Sequence, residues 1–438
     1  MNRELHHDFK ANKMAKKELS GGTTRQESRR EFLKSSALAA AALAFPAALS
    51  PFSIITRKAT AQPGATDDPA VVTVRDTAAH SGSQINAGIA QVMLDEAVRR
   101  YTGLSNLGLA YKSLFPGISM NDVVGIKVNC INAQLSTHPP LVSALANGLQ
   151  QMPFGTASFP ANNIIIFDRS TSELQNAGYT LNTGTTGVRC FATNSSGIGY
   201  NSSVTLNCAG TVQHPSRLLT DHCDWLINFA VMKNATGCGL TMTLKNAYGY
   251  VSAPSAMHGT LCDPYIPAVN QQVRDVLAVT EALFIVDGIF GSYTGGPMGS
   301  PNFTWDGIIL GQDRVAVDAV GRSILASYGC PTLAASVHVD TAAQAPYSLG
   351  TANLAQIQQV NVMNPSQSVE DLDVQWGGSD VHLDWSAPEY TGQFTVLRAD
   401  NPDMAGASPL ATVSGNAYTD PGAVNAAMKY FYRVVKTW

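Results

Sequence analysis

The sequence predicts an α/β protein: a central domain with a mainly parallel sheet flanked by helices, followed by a small all-β sandwich. Three observations carry this reading. Compact apolar runs at Val123–Val128, Ile164–Phe167, Trp225–Ile227 and Leu283–Val286 alternate with stretches of helical spacing, the pattern of strands covered by helices on both faces. Those runs end on polar residues: Lys127/Asn129, Asp168, Asn228 and Asp287. From about Val369 the pattern changes to short alternating runs separated by turn-rich segments.

Taken in order, the chain begins with a segment that is set apart from the fold. Arg29 and Arg30 precede an Ala/Leu-rich stretch at 37–49, and Ala59-Thr60-Ala61 offers a small-residue cleavage site. This resembles a twin-arginine export signal, which implies the twin-arginine translocation machinery as a partner and a periplasmic or extracellular location. The apolar core is too short for a membrane anchor and is closed by Pro46, Pro51, Arg57 and Lys58, so no stable span is expected after cleavage. Residues 1–61 carry 11 of the 28 Lys+Arg and 5 of the 32 Asp+Glu, leaving 17 basic and 27 acidic residues, a net charge of −10. That balance argues against nucleic acid or anionic lipid as a partner. Only 14% of the chain is charged, against roughly 25% in ordinary soluble domains.

After a short linker, Val71–Val74 reads as a strand and Ile85–Tyr101 as a helix. His138 precedes Pro139-Pro140, which open a helix running to about Met152, proline being well placed in a first turn. A short helix covers Thr171–Ala177, and residues 180–212 read as an insertion or antiparallel edge. Helices are expected over Ala268–Thr280 and Asp313–Tyr328, with a strand at Gly307–Leu310 between them. Asp313 and Asp318 suit capping and first-turn stabilisation of the latter helix. The domains are therefore 1–61, 62–360 and 361–438, with the first strand of the last unit near Val360–Met363.

Ligands of parallel sheets sit beyond the carboxyl ends of the strands. Lysine is scarce in the mature chain, so Lys127, Lys233 and Lys245, with Asn129 and Asn246, are candidates to hold a small carboxylate or phosphate there. Crowding of ammonium groups would depress one lysine pKa and create a base or imine-forming amine. Asp287 and His258 are the candidate proton movers, and Asp168 and Gly291 complete the substrate-binding set. The Gly291–Gly299 loop lacks both GK[ST] and GxGxxG, so it is no phosphate-loop or dinucleotide fingerprint. A lid over the strand ends is the alternative.

Seven cysteines occur, an odd number, with no CxxC pair and hence no clustered iron–sulfur motif. Cys223, Cys238, His258 and Cys262 form a candidate metal set with His138, His222 and Asp263 in reserve, thiolate and imidazole suiting zinc or another borderline ion. Buried free thiols are the competing account. Neither G-x-S-x-G nor H-E-x-x-H is present, so serine-hydrolase and zincin chemistry find no support.

Two resemblances follow from ordered motifs. The segments at 124–129 (VGIKVN), 137–142 (THPPLV), 164–170 (IIIFDRS), 224–228 (DWLIN), 240–249 (LTMTLKNAYG), 287–291 (DGIFG), 295–299 (GGPMG) and 311–321 (GQDRVAVDAVG) together resemble the "domain of unknown function 362" family over about 70–330. The resemblance singles out Lys127, Asn129, His138, Asp168, Lys233, Lys245, Asn246, Gly249, His258, Asp287, Gly291, Asp313 and Asp318. Relatives often carry a histidine two residues after the position of Lys233; here Ala235 stands there. Some relatives are fused to ferredoxin modules, but no such cysteine set occurs here. The C-terminal order LDWSAP, FTVLR, YTDP and YFYRV resembles a fibronectin type III domain. The expected function is an exported enzyme acting on a small anionic substrate, with a metal or organic cofactor loaded before export. The alternatives are a non-catalytic envelope or extracellular binding protein and a redox protein.

Overall fold

Eight strands of a nine-stranded sheet run in the order β9-β1-β8-β7-β5-β2-β3-β4, and β6 pairs with β5 off this path. They are β1 (Ala70–Arg75), β2 (Val124–Lys127), β3 (Ile164–Phe167), β4 (Arg189–Cys190), β5 (Trp225–Ala235), β6 (Gly239–Thr241), β7 (Thr280–Ser292), β8 (Phe303–Gly311) and β9 (Gln358–Met363). The computed structural model describes residues 69–437 apart from 368, 388–392, 401–403, 405 and 425–429. The expected export signal and the linker after it lie outside the described residues.

The centre of the sheet is parallel: β7, β5, β2, β3 and β4 all run the same way. On its other flank β8 runs antiparallel to both β7 and β1, so the sheet is mixed. Val360–Met363, expected to open the C-terminal unit, instead lies in β9, paired parallel to β1 as the sheet's outer edge. Alternation of apolar and polar residues reads the same in either sheet, so periodicity alone did not assign it.

Strand parity divides the core in two. One face carries Val72, Val74, Ile126, Ile166, Phe229 and Ile285 under α1 (Ala87–Thr102), α2 (Leu107–Ser113) and α3 (Pro139–Gln150). The other carries Ile165, Phe167, Leu226, Met232, Phe284 and Val286 under α5 (Thr243–Asn246), α6 (Tyr265–Val276) and α7 (Arg314–Ser327), with α4 (Thr171–Asn176) following β3. Asn86 caps α1 and Asp313 caps α7 through their side-chain oxygens. Asp318 departs from its expected role. Its buried carboxylate accepts from Thr243 N at 2.9 Å, Thr243 Oγ1 at 2.6 Å and Leu244 N at 3.0 Å, anchoring α5 rather than its own helix. Burial pushes its pKa up to about 6 against those three donors.

Beyond β9, the C-terminal residues form two three-stranded antiparallel sheets. One joins Glu370–Gly377, Asp380–Ser386 and Ala417–Asp420, and the other Ser408–Val413, Gln393–Ala399 and Phe431–Thr437. Leu383, Trp385, Phe394, Val396 and Val434 from the two sheets share a small core. Among the described residues no helix is long and apolar enough to cross a membrane.

Candidate functional site

The polar residues at the carboxyl ends of the parallel strands are brought together, on two faces of the sheet. Pairing puts Lys127 level with Asn228 and Phe167, and parity sends the side chains of Lys127 and Asn228 to the α5–α7 face. Lys127 Nζ lies 2.8 Å from Asp168 Oδ1, with both side chains almost wholly buried. The same ammonium donates to Val128 O at 2.5 Å and Asn246 Oδ1 at 3.1 Å. Asp168 in turn accepts from Arg169 N and Cys130 N, each at 2.7 Å. Lys127 is thus neutralised by protein groups, which is how a buried charge is tolerated, and it is closed to a ligand.

Gly249 explains the tight fit: a Cβ there would lie 2.6 Å from Lys127 Nζ. From this centre a directional amide relay leads outward. Asn246 donates to Asn228 Oδ1 at 2.8 Å, Asn228 donates to Thr243 O at 2.9 Å, and Asn129 donates to Asn246 Oδ1 at 3.3 Å.

Lys233 closes the network. It is fully buried, and its Nζ donates to Asn129 Oδ1 at 2.8 Å and Leu135 O at 3.2 Å. Burial is the chief cause that lowers its pKa to about 8; Asp168 and Cys130 oppose the fall, and Lys127 and Lys245 add to it. The expectation of one depressed lysine therefore falls on Lys233.

Asp287 belongs to the opposite face, under α3. Its carboxylate is fully buried and accepts from His138 N at 2.9 Å, with His138 Nδ1 at 2.6 Å. Burial pulls the His138 pKa down, but the charge and hydrogen bond of Asp287 outweigh it, and the net displacement is upward from 6.5. The imidazole keeps 19% of its side chain exposed and packs 5.5 Å from the Phe290 ring, with His80 on the same ring at 4.7 Å. The segment after β2 links the two faces: Asn129 and Leu135 receive Lys233, and His138 meets Asp287. Sequence reading held His138 as a reserve metal ligand and as one of the positions the family resemblance singles out, without giving it a proton-moving role. Its place immediately before Pro139-Pro140, at the start of a helix, was the signal for a fixed position.

Lys245 and His258 lie elsewhere. The half-buried Lys245 reaches Cys238 Sγ at 3.1 Å rather than the asparagine relay, although its charge is felt at Lys233. His258 is exposed, holds Pro254 O through Nδ1 at 2.9 Å and packs edge-on to Tyr248. It makes no contact with Asp287, so the two candidate proton movers do not act together. Gly291 is buried where a side chain would collide with the Phe303 ring, which assigns it to strand packing rather than substrate. The loop after it is laid across the strand ends: Asn132 donates to Pro297 O and Gly299 O, and Thr236 to Gly296 O.

The candidate metal set does not assemble. Cys223 precedes β5 at the opposite end of the strands, its thiol pushed up to about 12 by burial. Among the described residues no three His, Cys, Asp or Glu side chains are grouped to hold a metal ion. Cys238 Sγ donates to the Leu240 carbonyl at 3.2 Å and accepts from Lys245 Nζ at 3.1 Å. Cys262 ends a run of three left-handed residues, Thr260, Leu261 and Cys262, with φ of 50°, 59° and 61°. That conformation costs a non-glycine residue roughly 1–2 kcal/mol.

The fold and site define an α/β protein with a buried lysine–carboxylate–amide network at the ends of its parallel strands. Residues 124–323 match the family described as "Domain of unknown function (DUF362)", which supports the resemblance drawn from the ordered motifs. No curated protein matches the chain. Among solved structures, it is similar to the pectate lyase Pel3 of Pectobacterium carotovorum at 21% identity, over 14% of this chain and 20% of that one, with a TM-score of 0.14. It is also similar to a Thermotoga maritima protein at 11% identity, over 58% of this chain and 60% of that one, with a TM-score of 0.31. The chain spans less than two thirds of either.

Proposed function

We propose that the protein is an exported enzyme that moves a proton on a small anionic substrate at the strand ends. His138 is the acid–base group. Its Nδ1 is held on Asp287, which leaves Nε2 to exchange a proton with substrate and fixes the tautomer. The observation that carries the reading is this pairing of a fully buried carboxylate with a partly exposed imidazole. Of the three lysines Lys245 alone keeps solvent exposure; it stands on Cys238 Sγ, apart from the His138–Asp287 pair, so it would draw the anion toward the strand ends rather than line the pair. Lys233 holds positive charge behind it.

A second reading, a non-catalytic envelope or extracellular binding protein, draws support from the C-terminal unit, read as a fibronectin type III-like sandwich, where Trp376 is 56% exposed. The two readings part in one experiment. The exported protein is incubated in deuterated buffer with a panel of small carboxylic acids, and label uptake is read by mass spectrometry. Calorimetry with malonate and inorganic phosphate runs beside it. The enzyme reading expects label with wild type and none with His138→Gln. It also expects at least tenfold weaker anion binding by Lys245→Met. Because Asp287 raises the His138 pKa, neutral imidazole accumulates only above pH 6.5, so the rate should climb with pH there. No label across the panel, with anion binding unchanged in Lys245→Met, overturns the proposal.

A further inference from the structure

A cleft of about 320 Å³ opens between α1 and α3, a volume within the range of small-molecule sites. Its walls are Ala87 and Gln91 from α1 and Pro139, Pro140, Ser143 and Ala144 from α3. None of these is charged, and the lining is mostly apolar. At one end the amides are spent on one another and on the helices. Asn147 Nδ2 donates to Gln91 Oε1 at 3.3 Å, and Gln91 Nε2 donates to Ala144 O at 3.2 Å and Asp95 Oδ1 at 3.0 Å. The other end leads to His138. Pro139 follows it directly, and on the opposite wall the paired segment from His80 to Ile85 runs straight into α1. The rings of His138 and His80 lie 5.5 Å and 4.7 Å from that of Phe290. Both walls therefore lead back to the half-buried Phe290, beside the His138–Asp287 pair.

The cleft is built against a charged occupant. Free N–H groups at a helix start attract anions, but the two starts that flank this end have theirs in use. Pro139 and Pro140 carry no N–H, Leu141 N donates to His138 O at 3.1 Å, and His138 N is spent on Asp287. Across the cleft, Asn86 Oδ1 accepts from Gly88 N and Ile89 N. His80 adds no net charge, because Asp306 Oδ1 stands 3.0 Å from its Nε2. An uncharged, apolar group suits such walls, since it gives up no hydrogen bonds on entering.

We propose that this cleft receives the apolar chain of the substrate, which is a carboxylic acid bearing an unbranched hydrocarbon tail rather than a bare small acid. The assignment rests on the reading of His138 as the acid–base group. The acid head stays at the strand ends, toward which Lys245 draws it, and the carbon next to it meets His138. The tail then runs along α3 past Pro139, Ser143 and Asn147. These residues stand on successive turns of one helix face, and from the first to the last is about 12 Å.

The test compares malonate with hexylmalonate, one acid head without and with a tail, on the intact exported protein. Calorimetry reads affinity, and mass spectrometry reads deuterium uptake at the carbon between the carboxyl groups. Hexylmalonate should bind wild type at least tenfold more tightly than malonate. That gain should vanish in Ser143→Trp and in Ala87→Trp, which fill the cleft from opposite walls at exposed positions. Either variant suffices should the other fail to fold. Equal affinity for the two acids in wild type, or a gain that survives in the folded variants, overturns the proposal. Hexanol binding as tightly as hexylmalonate overturns it too, by assigning the cleft to an uncharged ligand. The parent reading fails separately: a tail-dependent gain with no label in either acid keeps the tailed acid as ligand and removes the role of His138. Label in both acids at equal affinity and rate keeps His138 and removes the tail.

Discussion

Replacement of Lys233 by methionine tests the buried network most directly, because charge and hydrogen bonding separate by pH. Moving an amine from its ordinary 10.5 to about 8 corresponds to about 3 kcal/mol of unfavourable burial of the charged form. The sign follows from proton counting. Between pH 8 and 10.5 the folded chain binds fewer protons at Lys233 than the unfolded chain, so stability rises with pH across that window. Below pH 8 the full penalty is present. Methionine removes it but leaves Asn129 Oδ1 and Leu135 O without their donor, at about 1–3 kcal/mol for each buried acceptor. At pH 7 the two effects nearly cancel, and Lys233→Met should stay within about 2 kcal/mol of wild type. From pH 8 to 9.5 wild type should gain about 2 kcal/mol that the variant lacks. Urea unfolding of both proteins at half-unit pH steps reads the difference, in which every other titrating group cancels. Parallel stability profiles over that range would refute the buried, depressed amine.

The remaining predictions concern the same centre. Asp168→Asn leaves the Lys127 ammonium without its counter-charge at a 2% exposed site, and urea unfolding should show a loss of about 3–5 kcal/mol. A loss below about 1 kcal/mol would mean that water reaches the pair. Gly249→Ala drives a methyl group against Lys127 and should cost about 1–3 kcal/mol by the same assay; an unchanged midpoint would show that Lys127 has room to move.

How much of this was legible depends on whether a residue's partners are local. The apolar run Ile164–Phe167 became β3 with the expected bounds, and Asp168 after it is a strand-end residue, because local patterning decides both. The strand expected at Leu283–Val286 instead runs from Thr280 to Ser292. Asp287 reads as a stop signal, but inside the fold it is satisfied by His138, 149 residues away. Gly288 and Gly291 continue the strand because Trp305 and Phe303 pack where side chains would stand. Lys233 likewise sits within β5 because the segment after β2 supplies its acceptors. The convergence of Lys127 with Lys233 was readable from strand-end spacing. The departure of Lys245 toward Cys238 was not, since it depends on how Asp318 fixes the short helix α5.

The relay also constrains Asn129 more tightly than the role of a substrate contact would. Its Oδ1 must face Lys233 and its Nδ2 must face Asn246, because Asn246 Oδ1 already accepts from Lys127. Asn129→Asp has nearly the same shape and separates the two demands. A carboxylate beside Lys233 favours the ammonium and carries its pKa upward, so the stability gain between pH 8 and 9.5 should disappear, as in Lys233→Met. Its second oxygen, however, now faces Asn246 Oδ1 with no proton between them, and Asn246 cannot turn without losing its bonds to Lys127 and Asn228. That opposition should cost about 1–3 kcal/mol where the compensating ion pair is weakest, at high pH. Unfolding profiles of the two variants should therefore share a slope below pH 9.5 and diverge above it, as Lys233 loses its proton and Asn129→Asp falls away. An Asn129→Asp profile that keeps the wild-type rise would mean that the amide polarity of the relay runs the other way, and that Lys233 takes its acceptor from the backbone alone.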